Sequence, residues 1–238
     1  FECWKQDDSV TPSELATYFR PYLIRKPLQG QPVEAFETVW LDTEMIDAVA
    51  KRVIQWTSSC RYLGTMDVGP RSLRHVLRHL DKTPSSVTRF SIIVNTSNVL
   101  NQGFHWIAIW VDRETHTIEY FDSFGLPPPN VSRTDLQPVE ADTEIRERSL
   151  PGRETHVREL LVELQVRMGN KYKILYGTTA HQAGDNRQCG MYALWFLEQR
   201  QYRSFHDINE TIVISDLMMD LRNQWFLRPP EFVVAQYR

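Results

Sequence analysis

Cysteine is scarce in this sequence, and its pattern excludes several classes of protein. The 238 residues contain three cysteines, Cys3, Cys60 and Cys189, and no C-x-x-C pair. An odd, scattered set fits neither a disulfide framework nor a zinc knuckle. We therefore expect no metal and no other cofactor, and an intracellular, reducing compartment such as the cytoplasm or nucleus.

The sequence also has little excess of either charge and no long hydrophobic run. Its formal net charge is −3 and its pI about 6.2, so no global basic field favours nucleic-acid binding. No run approaches the about 18 apolar residues of a membrane span, and no membrane partner is expected. What is present is 42% hydrophobic residues, enough for one sizeable core.

The order of the predicted elements is typical of a single α+β domain over residues 1–238. Short runs rich in β-branched and aromatic residues predict strands, the second and third of them as a hairpin around the turn RETH. Helical periodicity appears on both sides of this cluster. The strands are predicted at 90–96, 105–112, 117–122 and 172–179, and the helices at 10–23, 39–56, 71–80, 153–169, 189–200 and 213–226.

Two segments stand apart from this pattern. Residues 1–37 are interpreted as an N-terminal extension. Residues 125–152 contain three consecutive prolines and many charges, which indicates an insertion or lid.

Cys189 is the first candidate for chemistry, because it lies where a polar loop meets an apolar helix. Unpaired backbone N–H groups at a helix start favour a negative charge, and a cysteine acts as a nucleophile in its thiolate form. The next residue, Gly190, has no side chain to crowd an approaching substrate backbone. The alternative is that Cys189 is a small buried hydrophobic residue.

His105 and Asp122 form the second candidate. His105 begins one predicted strand and Asp122 ends the next, so hairpin pairing brings both to the same end of the sheet. A carboxylate there can orient the imidazole and leave its other nitrogen for a thiol. Taken singly, each residue would be an ordinary strand or turn residue.

A glutamine supplies the third candidate, a donor for an oxyanion hole. Gln182 precedes Cys189 by seven positions, so the loop between them can bring its amide beside the Cys189 backbone N–H. Gln188 is the rival donor because it is adjacent to Cys189. Either could also be a solvated loop residue.

Several motifs together give a resemblance to a known family. The segments WLDTEMI, HWIAIWVD, TIEYFDSFG and CGMYALWFL are similar, in order and spacing, to those of the SUMO-protease and adenovirus-protease superfamily of cysteine peptidases. The sequence is still more similar to the processing proteases of large DNA viruses, because its stretches YFDSFGLPPP and SDLMMDLRNQWF resemble segments of those enzymes. The resemblance implies a papain-like α+β fold, a central mixed sheet flanked by helices with the nucleophile at a helix N-terminus.

The same resemblance implies roles for individual residues. Cys189 matches the nucleophile, His105 the general base and acid, and Asp122 the residue that orients it. Gln182 and the Cys189 N–H match the oxyanion hole. Trp40 and Trp106 match two tryptophans that wall a narrow tunnel around the end of the substrate chain.

Such a tunnel would select extended Gly-Gly or Gly-small sequences, because a slot between two indoles excludes side chains. Two departures from the SUMO proteases appear. Asp42-Thr43 stands where they carry Asn-Asp, and the interval from Gln182 to Cys189 is seven residues instead of six, as in the adenovirus enzyme.

We therefore expect a viral-type protease that cleaves precursor proteins after Gly-Gly or Gly-small sites. Such a protease could also be packaged in a virion, in addition to the cytoplasm or nucleus. The alternatives are an isopeptidase that deconjugates SUMO, ubiquitin or a relative, and an inactive relative that acts as a binding module. A basic strip with Arg71, Arg74 and Arg78 would fit a polyanion activator such as nucleic acid, but a solvated helix face is the favoured interpretation. His75 and His79 have a metal-ligand spacing without a third ligand.

Overall fold

The structure is a computed structural model, and it describes residues 41–54, 59–67, 70–96, 105–128, 136–138, 156–169, 171–182, 188–213, 215–222 and 225–226. The chain divides into two compact units, Trp40–Met218 and Phe1–Val39 with Met219–Arg238. The candidate site lies in the first unit. The predicted N-terminal extension lies outside the described residues, and the single domain over 1–238 stays a prediction.

The described elements include helices on both sides of a run of four consecutive strands. In chain order they are α1 Thr43–Ile54, β1 Cys60–Asp67, α2 Pro70–Asp81, β2 Arg89–Asn95, β3 Trp106–Asp112, β4 Thr117–Phe121, β5 Leu136–Pro138, α3 His156–Met168, β6 Lys173–Tyr176, α4 Cys189–Gln199, α5 Phe205–Asn209 and α6 Ser215–Arg222. No helix in the described ranges is long and apolar enough to cross a membrane.

The strands form one six-stranded mixed sheet in the order β1-β2-β3-β4-β6-β5. The central strands β2, β3 and β4 pair antiparallel. The outer pairs β1 with β2, β4 with β6 and β5 with β6 are parallel. The predicted α+β fold with a central mixed sheet flanked by helices is confirmed.

The two faces of the sheet bury different helices, because successive residues of a strand point to opposite sides. On one face, Ile107, Ile109 and Val111 of β3 pack in a cluster with apolar residues of α2 and α3. On the other face, Trp106 and Trp110 of β3 face α4, which is itself in contact with α1. Helix α4 is therefore enclosed between the sheet and α1.

The β3–β4 hairpin is formed as predicted, with Asp112 paired to Thr117 and Ala108 paired to Phe121. Its turn is fixed by the Asp112 carboxylate, whose Oδ1 accepts from the backbone N–H of Glu114 at 2.8 Å and of Thr115 at 3.2 Å. This register brings the start of β3 beside the end of β4, which is the end of the sheet where the candidate residues lie.

Three elements of the structure were not predicted from the sequence. Strand β1 was not predicted, because a register shift between Tyr62 and Gly64 interrupts its alternation. The short helix α5 depends on a local cap in which the Ser204 side chain accepts from Asp207 N–H. Within the predicted insertion at 125–152, Leu136–Pro138 forms the edge strand β5, where a proline is tolerated.

Candidate active site

Cys189 is the first residue of α4, as the change from polar to apolar sequence predicted. Nine consecutive residues from Cys189 to Leu197 are buried, so the helix is held along its length between the sheet and α1. Gln188 caps the helix without a side-chain hydrogen bond to the first turn. The Cys189 thiol therefore lies at the N-terminal, positive end of a helix that is fixed by its packing.

His105 and Asp122 lie side by side at one end of the β3–β4 hairpin. His105 Nε2 donates to Asp122 Oδ1 at 3.0 Å, and both side chains are buried. The other ring nitrogen, Nδ1, is left for a second partner, and the Cys189 side chain forms a hydrogen bond with this imidazole. The three residues predicted from the sequence thus form one continuous chain of contacts.

The surroundings of His105 favour its protonated form. Burial lowers the pKa of His105, but the negative charge of Asp122, the hydrogen bond to Asp122 and the contact with Cys189 together raise it to about 9. At neutral pH the imidazole therefore carries a positive charge beside the sulfur. This is the state that stabilises a thiolate.

The turn after β4 holds the Asp122 carboxylate in position. Asp122 Oδ1 accepts a second hydrogen bond from Phe124 N–H at 2.9 Å, and the backbone of the same turn closes through Gly125 N–H to Asp122 O at 2.9 Å. The Phe124 ring stacks on the His105 imidazole with centroids 5.1 Å apart. The imidazole is thus fixed by a hydrogen bond at its edge and by an aromatic ring on its face.

Gln182 reaches the same turn from the segment that follows β6. Its backbone N–H donates to Ser123 O at 2.8 Å, and its side-chain Oε1 accepts from Ser123 Oγ at 2.7 Å. Both residues are buried. The Gln182 carboxamide is therefore bound to Ser123, the residue that follows Asp122. Its oxygen accepts a hydrogen bond from the Ser123 hydroxyl, and its amide nitrogen is the remaining polar end.

Gln188, the rival donor, is oriented by a different partner. Its Oε1 accepts from the hydroxyl of Ser215, the first residue of α6, at 3.3 Å. The two glutamines are thus tied to different elements, Gln182 to the turn that contains Asp122 and Gln188 to α6.

The residues predicted to bind substrate have strong packing roles. Trp106 is 2% exposed, and its indole N–H donates to Leu41 O at 3.1 Å. A side chain at Gly190 would lie only 3.0 Å from Ile46 Cδ1 and 3.3 Å from the Trp106 ring. Gly190 is therefore required for the close packing of α4 on α1 and β3, a reason that the sequence did not indicate. Trp40 lies outside the described residues.

The sequence reasoning missed the two residues that follow Asp122 as parts of the site. Ser123 and Phe124 belong to the motif YFDSFG, but the sequence alone indicated no role for them. Their position directly after Asp122 could have identified them, because a buried turn beside a catalytic group provides both hydrogen bonds and ring contacts.

No metal site accompanies this arrangement in the part of the chain that the structure describes. No group of three or more His, Cys, Asp or Glu residues there could hold an ion. The rings of His75 and His79 on α2 have centroids 4.5 Å apart and are tilted by 52° to each other. Their spacing therefore reflects one helical turn, and no further metal ligand accompanies them among the described residues.

A mixed sheet flanked by helices, with a thiol at a helix start in contact with a His–Asp pair, is the architecture of a cysteine peptidase. The sequence matches the Ulp1 protease family, C-terminal catalytic domain, over residues 23–228, and the chain belongs to this family. It is a cysteine-type hydrolase of peptide or isopeptide bonds. No curated protein is significantly similar to it in sequence.

Solved structures align with this chain at low sequence identity, and the first of the three below shares its fold. The viral ASFV pS273R protease aligns with a TM-score of 0.55 and 16% identity, covering 94% of this chain and 92% of its own. A selenomethionine form of that protease aligns over 60% of this chain and 45% of its own, at 22% identity and a TM-score of 0.41. The yeast Ulp1 protease domain in complex with Smt3 covers 79% of this chain and 74% of its own, at 15% identity and a TM-score of 0.49.

Proposed function

We propose that this domain is a viral-type processing protease that cleaves precursor proteins after Gly-Gly or Gly-small sequences. The observation that carries the proposal is the contact chain from Asp122 through His105 to Cys189, with the Gln182 amide held one residue from Asp122. The viral choice is supported by the sequence stretches YFDSFGLPPP and SDLMMDLRNQWF, which resemble viral processing proteases.

The reaction is an acyl transfer in two stages. The Cys189 thiolate attacks the scissile carbonyl carbon, and the C–S bond forms as the carbonyl electrons move to oxygen. The Cys189 backbone N–H and the Gln182 amide donate hydrogen bonds to this oxyanion. The C–N bond then breaks, and the amine leaves with the proton from His105.

Water completes the cycle by hydrolysing the thioester. His105, now neutral, accepts a proton from the attacking water, and its charge is again balanced by Asp122. The tetrahedral intermediate collapses, the C–S bond breaks and the carboxylic acid leaves. The thiolate and the imidazolium are restored together.

Selection of glycine is the part of the proposal that concerns Trp40 and Trp106. Trp106 follows His105 directly, and its indole N–H donates to the carbonyl oxygen of Leu41, the residue after Trp40. Two indoles that line the end of the substrate chain would leave room for a bare backbone and exclude a branched side chain. One added methyl group is expected to lower kcat/KM roughly 10- to 200-fold.

The test uses the full chain with Gly-Gly-x and Ala-Gly-x peptides, and separately with SUMO and ubiquitin probes that carry a C-terminal electrophile. Cleavage after Gly-Gly in short peptides, lost in Cys189→Ala and kept in Cys60→Ala, is the expected result. Labelling by a SUMO or ubiquitin probe without peptide cleavage would replace the proposal with deconjugation. The absence of both cleavage and labelling would indicate an inactive binding module.

A further inference from the structure

Ser123 and Gln182 are joined by two hydrogen bonds that run in opposite directions. Ser123 Oγ donates to Gln182 Oε1 at 2.7 Å, while Gln182 N–H donates to Ser123 O at 2.8 Å. Ser123 is 1% exposed and Gln182 is 5% exposed, so water does not compete freely for either bond. Backbone and side chain of Gln182 are thus both fixed by one serine.

The side-chain bond decides which end of the carboxamide faces the reaction. A glutamine amide has an oxygen that only accepts and a nitrogen that only donates. With the oxygen occupied by the Ser123 hydroxyl, the nitrogen is the end left to donate to a developing oxyanion. The reversed amide would direct an oxygen toward the negative charge and oppose the reaction.

The surrounding backbone keeps the two segments at this separation. Gly125 has a φ of 66°, and a side chain there would lie 2.5 Å from Thr178 O. On the other side, Asn209 Oδ1 accepts from the backbone N–H of Thr178 at 3.0 Å and of Thr179 at 3.1 Å. The segment that leads to Gln182 is therefore held from both sides.

We infer that Ser123 is a positioning residue that fixes the Gln182 amide with its N–H donors toward the oxyanion. Ser123 does not touch the reacting atoms and acts through Gln182, so the inference rests on the proposed function of that residue. It also means that one turn serves two purposes, because Asp122 orients the base and Ser123 orients the oxyanion donor.

A double-mutant cycle tests this coupling. Ser123→Ala is expected to lower kcat about tenfold with KM little changed, since the oxyanion forms only in the transition state. Gln182→Ala is expected to lower kcat by about 10²- to 10³-fold. In the Gln182→Ala background, Ser123→Ala should cost nothing further, because the group that it orients is gone.

Two further measurements separate positioning from a general loss of structure. Inhibition by a Gly-Gly aldehyde, whose adduct carries the oxyanion, should weaken in Ser123→Ala, whereas the rate of Cys189 alkylation by iodoacetamide should stay unchanged. Ser91→Ala is the matched control, because Ser91 is also fully buried and its hydroxyl has no hydrogen-bond partner in the described structure. It should leave both measurements unchanged.

The outcomes distinguish two failures. If Gln182→Ala retains full kcat, the proposed oxyanion role of Gln182 is wrong, and the inference fails with it. If Gln182→Ala is impaired but Ser123→Ala is not, or if the two losses multiply in the double variant, only the positioning role of Ser123 is overturned.

Discussion

His105 Nε2 lies 3.0 Å from Asp122 Oδ1, and the β3–β4 hairpin closes the 17 positions that separate them in the chain. At the opposite end of the same hairpin, Asp112 caps the turn through its own Oδ1. Two buried aspartates thus bracket one hairpin. One supports the turn and the other supports the imidazole, which gives a matched pair for mutation.

Asp122→Asn should move the alkaline limb of the pH profile of kcat/KM to lower pH. The negative charge of Asp122 is a main reason why the pKa of His105 is raised to about 9, although burial acts in the opposite direction. The imidazolium that pairs with the thiolate is lost as pH rises through this value. Removing the charge should shift the alkaline limb of kcat/KM downward by at least about one pH unit.

Asp112→Asn is the control for this experiment. It removes a buried charge of similar exposure from the far end of the hairpin, so it should lower stability without moving the alkaline limb. An unchanged limb in Asp122→Asn, or an equal shift in both variants, would contradict the role given to Asp122.

Alkylation should distinguish the two described cysteines. Burial raises the pKa of Cys60 to about 12, so its thiol is protonated at neutral pH. Cys189 instead contacts a charged imidazole at a helix start. In a Cys3→Ser background at pH 7, mass spectrometry of iodoacetamide-treated native protein should find Cys189 modified before Cys60. The reverse order would oppose the thiolate assignment.

Two glycines with a positive φ should respond very differently to alanine. A side chain at Gly125 would lie 2.5 Å from Thr178 O and 2.9 Å from Ala180 N, whereas nothing lies within 4 Å of one at Gly169. Both substitutions strain the backbone by about 1 kcal/mol, but only Gly125→Ala must also displace the segment that leads to Gln182. We expect a large fall in kcat for Gly125→Ala and a near-normal kcat for Gly169→Ala. Equal activities would show that the close approach is not needed.

The sequence could predict the site because its parts lie where secondary structure changes. Cys189 marks a polar-to-apolar boundary, and His105 and Asp122 mark the ends of two strands joined by a short turn. Such positions can be inferred from local periodicity alone. The same reasoning could not identify Ser123, because its partner Gln182 is 59 positions away and only the parallel pairing of β4 with β6 brings them together.

Packing explains the remaining differences. The interpretation of Gly190 as space for a substrate stays a prediction, but its packing beside Ile46 and Trp106 was not predicted, because contacts between α1, β3 and α4 cannot be read from one segment. Strand β1 lost its alternation at Gly64, whose φ of 127° accompanies the register shift. Both features depend on neighbours that are distant in sequence.

His181 should make the fold less stable in acid. Burial among the rings of Phe121 and Trp195 lowers the pKa of His181 to about 4, although the nearby Thr211 backbone acts in the opposite direction. Between pH 6.5 and 4 the unfolded chain binds a proton that the folded state excludes, so unfolding becomes easier as pH falls. The contribution reaches about 3 kcal/mol at pH 4.

Urea unfolding at pH 6.5, 5.5 and 4.5 measures this effect. His181→Phe keeps an aromatic ring and removes the titration, so its free energy of unfolding should fall less steeply over this range than that of the unaltered protein. Parallel slopes for the two proteins would show that His181 does not titrate differently on unfolding.

The buried pair Glu119–Arg200 should contribute far more to stability than an exposed pair of the same kind. Arg200 donates to both carboxylate oxygens of Glu119, at 2.6 and 2.8 Å, and its guanidinium lies 5.6 Å from the centre of the Trp110 ring, so it fastens the end of α4 to the sheet. Arg200→Met leaves the Glu119 carboxyl buried without its counter-charge, and should lower the free energy of unfolding by about 3–5 kcal/mol. Arg167→Met, which breaks solvent-accessible pairs with Asp81 and Glu163, should have a much smaller effect on the free energy of unfolding. Thermal and urea unfolding of the two variants would compare them directly, and similar losses would mean that solvent reaches Glu119.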